Sequence, residues 1–410
     1  MDVEKSDDMT AKVELDDEGT PIKNRSNHWR GLIGFWILGL CNNFGYVVML
    51  TAADDIIKSQ SGEKDVHSGP RDCVYMSTGA ILLADILPAL IIKLLAPFIP
   101  FFVHVRVSLC VLIAAAGFVM VAFSDNITMS IFGVVLTSFC SGLGEVTFLQ
   151  YSAFYDKNVL STWSSGTGGA GVIGAASYTI LANFGLRNTL LMMLIMPISM
   201  GISFWIILPN PSEEDEHAAE IQRRVNTEEV SNAKEVFVQK VKKLPGLLKF
   251  IIPLTTVYLF EYFINQGTFE LIKIKKDFVK PEDQYHYLQV AYQVGVFLSR
   301  SSVNVFHVRH IWIFSVLQLV NVVIYTTEAI YYYIPYFWIM IVLTLWEGLL
   351  GGAAYVNTFY RVSSETKEED KQFSLAATTF SDSVGITFAG LLAIVAHNKI
   401  CDLPLPDSAH

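Results

Sequence analysis

The sequence has little charge and few residues of the kinds that build reactive sites. Only 17% of its 410 residues are charged, nine are histidine and five are cysteine. No histidine lies deep within a long apolar run, which argues against an intramembrane hydrolase and against enzyme activity in general. The cysteines are Cys41, Cys73, Cys110, Cys140 and Cys401. Because they have no paired spacing, we expect neither a disulfide framework nor a metal site.

The sequence also predicts no cleavable signal, and it has no excess of basic residues. The segment before Arg30 is hydrophilic and has no short apolar core, so the first apolar run is expected to act as the targeting signal. The formal net charge is −10, and the acidic residues collect in Met1 to Glu18 and in one loop. Such segments are typical of solvated, disordered chain. We therefore expect no nucleic-acid partner and no cofactor.

Long apolar runs dominate what is present. Apolar residues make up 52% of the chain, and a helix of about 20 apolar residues spans the roughly 30 Å of bilayer hydrocarbon. This pattern predicts an all-α polytopic membrane protein with about 11 transmembrane helices. The expected spans are 32-53, 75-95, 107-124, 127-150, 166-184, 189-208, 247-266, 283-302, 311-329, 332-357 and 372-396.

A long polar interruption divides these spans into six and five. It runs from Asn210 to Leu244 and is rich in Glu and Arg. The distribution of Lys and Arg between the loops favours a cytosolic N-terminus. The expected organisation is a disordered cytosolic tail 1-31, a six-helix N-terminal half 32-209, a cytosolic linker 210-246, a C-terminal helix half 247-397 and a tail 398-410.

Short motifs recur at corresponding helices of the two halves. Asn43-Phe44-Gly45 on the first helix matches Asn265-Gln266-Gly267 on the seventh, and the end of the fourth helix, SGLGEVTFLQYSAFY, matches that of the tenth, EGLLGGAAYVNTFY. These repeats indicate an internal duplication. Two pseudo-symmetric halves of this kind predict a major facilitator-like fold.

Ionisable residues inside the spans are the main candidates for function, because burying charge in lipid is costly. They are Asp85, Lys93, Glu145, Glu261, Arg300, Glu347 and Asp382. The acids at mid-depth either form structural pairs or handle protons or substrate. Lys93 and Arg300, at matching helix ends, either extend to the membrane interface or form cytosolic gate salt bridges or an anion funnel. Glu145 and Glu347 are the available acidic partners.

Amides and a tyrosine add polar stripes to the first helix of each half. Asn42 and Tyr46 are four residues apart, as are Glu261 and Asn265, so each pair shares one helix face. Together with Asn43 and Gln266 they are candidates for the two walls of a central substrate site. The alternative is that the amides only hydrogen-bond neighbouring helices.

Two further motifs suggest local structure. The literal GxGxxG at Gly166, Gly168 and Gly171 opens the fifth helix with no strand before it, which favours close helix packing. A lesser alternative is a helix N-terminus that faces a phosphate of the solute. Asn126-Ile-Thr128 is a glycosylation sequon in a short loop, which weakly predicts glycosylation of Asn126.

Several strings resemble the battenin family, that of the neuronal ceroid lipofuscinosis type 3 protein. They include GFWILGLCNNFGYVVMLTAADDI, LLADILPALIIKLLAP, SGLGEVTF, WSSGTGGAGVIGAASY, EYFINQGTFEL, FLSRSS and EGLLGGAAYVNTF, and they cover the whole membrane portion. One departure concerns the end of the chain. Vertebrate battenins end in a prenylatable cysteine box, whereas Cys401 here is followed by DLPLPDSAH, so a prenyl anchor is not expected.

The resemblance implies a facilitator-like transporter of the lysosomal, vacuolar or late endosomal membrane. It further implies export of small polar phospholipid breakdown products, the glycerophosphodiesters, by alternating access, with effects on lysosomal pH. Two alternatives remain open. One is an amino-acid transport or proton pathway for basic amino acids such as arginine, and the other is a non-transporting scaffold that binds trafficking proteins through its tail and the 210-246 loop.

Overall fold

The fold consists of eleven helical spans in the described part of the chain. The computed structural model describes residues 22–52, 71, 78–181, 184–210, 233–274, 279–302 and 307–406. The spans are α1 Ile22–Thr51, α2 Thr78–Leu95, α3 Val103–Ala122, α4 Ile127–Tyr151, α5 Asn158–Leu181, α6 Leu186–Ile207, α7 Ala233–Gly267, α8 Pro281–Arg300, α9 Trp312–Tyr331, α10 Phe337–Glu365 and α11 Glu368–Cys401. Every span expected from the sequence corresponds to one of these helices.

Composition and local chemistry explain why these segments are helical. Eight of the described helices are long and apolar enough to cross a membrane, and α2, α5 and α8 are the other three. Asn126 caps α4 by accepting a 2.9 Å hydrogen bond from the backbone nitrogen of Met129. Two prolines, Pro245 and Pro253, lie inside α7, and the carbonyl of Pro253 accepts a 3.0 Å hydrogen bond from Ser315 Oγ of α9. This bond joins α9 to α7 beside a proline, as hydroxyl side chains do between membrane helices.

The two halves repeat the same helix pairings. In the N-terminal half α1 packs on α5 and α2 on α4, and in the C-terminal half α7 packs on α11 and α8 on α10. Gly142 of α4 approaches Ala89 of α2, as Gly348 of α10 approaches Tyr292 of α8. The fourth and tenth helices therefore use equivalent glycines, in agreement with the repeat found in the sequence.

The repeat breaks down at the ninth helix. In the first half α6 packs against both α1 and α3. In the second half the corresponding helices are α7 and α9, and these two pack directly against each other. The other proposed repeat is also not equivalent in space, because Gly45 approaches Phe118 of α3 while Gly267 approaches Ala393 of α11. The match between Asn43-Phe44-Gly45 and Asn265-Gln266-Gly267 is therefore not a structural repeat.

The glycines of the GxGxxG segment make close helix contacts. A Cβ at Gly166 would collide with the backbone carbonyl of Trp36 in α1, and one at Gly171 would collide with the Gln293 side chain in α8. Small residues are what allow membrane helices to approach this closely. The packing interpretation of this segment is confirmed.

Three helices begin at least eight residues earlier than the sequence predicts. α1 begins at Ile22, within the segment expected to be a disordered tail, and α7 begins at Ala233, within the segment expected to be a loop linker. α5 begins at Asn158 rather than near 166. Polar first turns explain all three differences, because the search for apolar runs detects only the part of a helix that lies in lipid.

We call the two faces of the bundle the tail side, which carries Ile22, and the far side, which carries Thr51. On the far side Arg71 is buried and donates to four backbone carbonyls, those of Ala329 at 2.8 Å, Ile330 at 3.0 Å, Leu403 at 3.0 Å and Pro404 at 2.9 Å. This residue ties the α1–α2 connection to the end of α9 and the end of the chain. The C-terminal segment therefore lies on the far side.

The expectation of no disulfide was wrong. Cys401 is disulfide-bonded, while Cys41, Cys110 and Cys140 are free and buried. Cys73 lies outside the described residues. Sequence spacing cannot reveal a bond at Cys401, since folding alone brings the end of α11 beside segments that are hundreds of residues away in sequence.

Candidate functional site

A polar cavity lies between the two halves, near the middle of the bundle. It has an empty space of about 560 Å³ including its open part, and its walls come from both halves. Its lining residues are Asn42, Asn43, Tyr46, Ile86, Ala89, Lys93, Ser141, Glu145, Trp163, Thr167, Tyr258, Tyr262, Arg300, Tyr355, Asp382 and Ile386. Such an interface between repeats is where facilitator-type transporters place their substrate sites.

Lys93 of α2 is the centre of an ion-pair network in this cavity. Its Nζ lies 2.6 Å from Glu145 Oε2 of α4, and 2.9 Å from Asp382 Oδ1 of α11. The Lys93 side chain is only 5% exposed, so the two acids replace the water that this ammonium would otherwise need. The bond to Glu145 lies within one half, and the bond to Asp382 joins the two halves.

Tyr355 of α10 extends the network across the interface. Its hydroxyl donates to Glu145 Oε1 at 2.6 Å, and it accepts a longer bond from Trp163 Nε1 of α5 at 3.4 Å. Glu145 and Trp163 belong to the N-terminal half and Tyr355 to the C-terminal half. Separation of the halves at this level must therefore break several polar contacts together.

Arg300 of α8 is the second cation of the cavity. Its Nη1 donates to Thr167 Oγ1 of α5 at 2.7 Å, its Nη2 donates to Tyr258 OH of α7 at 2.8 Å, and its guanidinium stacks 4.2 Å from the Tyr355 ring centroid. In the described part of the chain no carboxylate forms an ion pair with it. Hydroxyls and a ring face therefore hold this charge in place without neutralising it.

The amides of α1 lie on the N-terminal wall. Asn42 Nδ2 donates to the Ser141 carbonyl at 3.0 Å, and Asn43 Nδ2 donates to the Thr167 carbonyl at 3.2 Å. Asn42 is packed so closely that its carboxamide fills the position of a Cβ at Gly144 of α4. Each amide thus hydrogen-bonds a neighbouring helix and also borders the cavity. Both roles considered in the sequence analysis, substrate binding and hydrogen bonding between helices, are therefore compatible with these positions.

Aromatic side chains make up much of the remaining wall. Tyr258 and Tyr262 of α7 stack with ring centroids 6.1 Å apart, and Tyr355 meets Tyr258 edge-on at 6.5 Å. Trp163 is fully buried behind them. These rings give the cavity an apolar, π-rich surface beside its charges, which suits a ligand with both a charged and a less hydrated part.

The structure places some of the predicted site residues elsewhere. Glu261 and Asn265 are buried but do not line the cavity, and Gln266 does not line it either. Tyr292 of α8 donates to Glu261, whose carboxylate lies against Gly351 of α10. Glu261 thus sits between α7, α8 and α10 in the position that Asn42 holds in the first half.

Two other predicted acids are buried outside the cavity. Glu347 of α10 is fully buried, and its backbone carbonyl accepts a 3.1 Å hydrogen bond from Gln318 Nε2 of α9. Asp85 of α2 is fully buried as well, and Ser138 of α4 donates to its backbone carbonyl. The seven predicted ionisable residues therefore divide into a cavity group and a group inside the individual halves.

Sequence reasoning missed six polar or aromatic residues of the wall. These are Ser141, Trp163, Thr167, Tyr258, Tyr262 and Tyr355. A signal existed for two of them, because Tyr258 and Tyr262 are four residues apart and share a face of α7. Glu261 and Asn265 form a second polar pair on the same helix. Because that pair includes an ionisable residue, the sequence analysis placed the site there instead.

Within the described residues there is no group of three or more His, Cys, Asp or Glu side chains that could hold a metal ion. The side chains that line the cavity offer hydrogen bonds, charged groups and ring faces to a ligand.

Comparison with known proteins agrees with this arrangement. The family model described as CLN3 protein matches residues 33–236 and 211–403. The chain belongs to the CLN3 protein family. A protein named battenin from Canis lupus familiaris is 43% identical and covers 93% of this chain and 95% of its own length. The protein BTN1 of Yarrowia lipolytica is 35% identical and covers 91% and 95%.

Solved structures show the fold that this CLN3 family member shares. A proton:xylose symporter of the major facilitator superfamily, XylE, aligns with a TM-score of 0.59 over 92% of this chain and 90% of that chain, at 13% identity. The human organic anion transporter MFSD10 aligns with a TM-score of 0.57 over 92% and 96%, at 8% identity. The expected family and the facilitator-like fold are both confirmed, and the chain is a multi-pass membrane protein.

Proposed function

We propose that this protein exports a small phosphodiester, of the glycerophosphodiester class, from the lysosome or vacuole by alternating access. The observation that carries the proposal is Arg300, a guanidinium in the central cavity that hydroxyls hold and no described carboxylate neutralises. A cation without a paired carboxylate in a partly buried site can accept an anion, and a guanidinium matches the geometry of phosphate oxygens.

The rest of the cavity fits the remainder of such a solute. Asn42, Asn43 and the tyrosine hydroxyls offer hydrogen bonds for a glycerol moiety. Two cations and two acids line the space, so with all four groups ionised it has no net charge and suits a solute with little net charge. A positively charged group on the solute, such as choline, would contact the aromatic ring faces of the cavity as well as its acids.

Arginine transport fits this cavity less well. The two acids that line it, Glu145 and Asp382, are both engaged by Lys93. A cationic solute would have to displace that ammonium while it also meets Arg300. The phosphodiester is therefore the better candidate on electrostatic grounds.

Contacts that cross between the halves support the proposal of alternating access. Lys93 with Asp382, Tyr355 with Glu145, and Arg300 with Thr167 each join one half to the other. On the tail side, Phe98 after α2 packs against Phe373 of α11 with ring centroids 5.8 Å apart. In the proposed cycle, a phosphate on Arg300 replaces its hydroxyl partners, and the halves then separate on the side of release.

The proposed orientation places the tail side in the cytosol and the far side in the lumen of a lysosome, vacuole or late endosome. A disulfide at Cys401 on the far side supports this, because disulfides persist in oxidising compartments and are rare in the cytosol. The basic loops expected on the tail side agree with a cytosolic face.

Counterflow into proteoliposomes tests the proposal. Vesicles loaded with unlabelled glycerophosphocholine should accumulate labelled glycerophosphocholine when they contain the wild-type protein, and vesicles loaded with arginine should not accumulate labelled arginine. If the vesicles take up neither solute, and if cells without the protein have normal lysosomal metabolite levels, a scaffold role would be favoured.

A further inference from the structure

A second cavity lies on the tail side, well away from the central one. It is formed where Lys249 of α7 meets the start of α9 and the end of α10, and it has about 550 Å³ of empty space including its open part. Its lining residues are Lys249, Arg309, His310, Ile311, Trp312 and Arg361. We call it the basic cavity. Three of these six residues are cations and none is an acid.

Only one acid touches the cations of the basic cavity among the described residues. Glu365 pairs with Lys249 Nζ at 2.9 Å and with Arg361 Nε at 2.6 Å. Arg361 Nη1 also donates to the backbone carbonyl of Arg309 at 2.5 Å. Three cations against one carboxylate leave an excess of two positive charges, and the side chain of Arg309 has no ion pair in the described chain.

The start of α9 adds a further positive potential. α9 has 20 residues and begins at Trp312, so its N-terminal end opens into the cavity wall. Partial positive charge at a helix N-terminus favours an anion, and phosphate is the group most often bound in such places. The cations and the helix end thus act on the same space.

The flank of the cavity continues into surface that faces lipid. Trp312 and Ile313 of α9 are 51% and 50% exposed, and Leu248 and Ile252 of α7 are 44% and 45% exposed. Tryptophan is enriched at the level of the lipid headgroups. A ligand whose phosphate enters the basic cavity can therefore lay an acyl chain against these exposed apolar side chains.

We propose that the basic cavity binds the headgroup of an anionic phospholipid from the leaflet on the tail side. The charge excess and the helix end recognise the phosphate, and the exposed apolar flank distinguishes a lipid from a soluble phosphate. Basic pockets between transmembrane helices are known to accept such headgroups. The site is independent of the transported solute, since none of its residues lines the central cavity.

Native mass spectrometry of the full chain from nanodiscs tests this inference. The nanodiscs contain equal amounts of phosphatidylserine and phosphatidylcholine, and the retained lipid is counted for each variant. The wild type should retain phosphatidylserine in preference to phosphatidylcholine. Arg309→Gln should lower that preference about fivefold, the size expected for one cation near a membrane surface. Arg309→Lys keeps the charge and should restore most of the preference.

The matched control is Lys242→Gln. Lys242 is an exposed cation on α7, two turns before Lys249, and it does not line the basic cavity. This variant loses the same charge on the same side of the membrane and should keep the preference. Equal losses in Lys242→Gln and Arg309→Gln would show a diffuse surface charge effect and overturn the inference. Displacement of the retained lipid by inorganic phosphate alone would show that the site takes a soluble anion instead.

Discussion

Lys93 and Asp382 form a buried ion pair between the two halves, with Nζ 2.9 Å from Oδ1. The same ammonium also bonds Glu145 at 2.6 Å, so one side chain holds an acid from each half. This geometry makes Lys93 a structural bridge as well as a wall of the cavity. A change at either end of the pair should therefore affect both stability and transport.

Removal of one partner should destabilise the protein more than removal of both. Lys93→Gln leaves two buried acids without their cation, and breaking a buried pair in this way costs roughly 3–5 kcal/mol. Adding Asp382→Asn should recover part of that loss, since one uncompensated charge disappears. Thermal unfolding in detergent, monitored by tryptophan fluorescence, measures the order of stability of the wild type, the single variant and the double variant.

The control for the ion-pair prediction is the exposed pair of Lys249 with Glu365, at 2.9 Å. Lys249→Gln should change thermal stability little, because exposed pairs contribute at most about 1 kcal/mol. If Lys93→Gln unfolds at the temperature of the wild type, Lys93 is not a bridge between the halves.

Arg300 should determine affinity for the phosphodiester. Arg300→Gln removes a hydrogen bond to a charged group, worth roughly 1.5–3 kcal/mol, so the KM for glycerophosphocholine should rise roughly ten- to a hundredfold. Arg300→Lys keeps the charge but loses the planar fork that spans Thr167 and Tyr258, and it should recover only part of the affinity. Initial rates of counterflow at several solute concentrations measure the KM.

Thr167→Val is the matched variant for this prediction. It removes the hydroxyl that Arg300 Nη1 uses, at 2.7 Å, but leaves the guanidinium in place. A small change in KM is expected, well below that of Arg300→Gln. Equal KM values for Arg300→Gln and the wild type would show that the phosphate binds elsewhere.

The amides of the two halves should differ in their effects on transport. Asn43 lines the cavity, so Asn43→Ala should raise the KM for glycerophosphocholine by about fivefold, the cost of one neutral hydrogen bond. Asn265 is buried outside the cavity, and Asn265→Ala should leave the KM unchanged while it alters thermal stability. Parallel KM shifts in the two variants would support the symmetric pair of amide walls that the sequence suggested.

These contrasts show what the sequence could determine and what it could not. Apolar runs located all eleven spans, because length and hydropathy are local properties. Which polar pair of α7 lines the cavity does not depend on local sequence. Tyr258 with Tyr262 and Glu261 with Asn265 have the same spacing, and only the packing of the helices decides which pair faces the other half. In the same way, Lys93 and Asp382 are 289 positions apart, so nothing in the sequence pairs them.

The disulfide at Cys401 predicts a specific cross-link. Cys401 is bonded whereas Cys41, Cys110 and Cys140 are free, so its disulfide involves none of these three cysteines. Arg71 in the α1–α2 connection contacts the backbone of Leu403 and Pro404, close to Cys401 in sequence. Peptide mapping without reduction should therefore recover Cys401 in a cross-linked peptide that contains none of the three free cysteines.

The same cross-link reports on membrane orientation. A disulfide persists only on an oxidising face, so a maleimide reagent should fail to label Cys401 in intact lysosomes and in denatured, unreduced protein. After reduction, Cys401 should become reactive. Cys401→Ser should free one further thiol for labelling without reduction, and it serves as the internal control. Labelling of Cys401 in unreduced wild-type protein would refute the cross-link and remove the support that it gives to a lumenal far side.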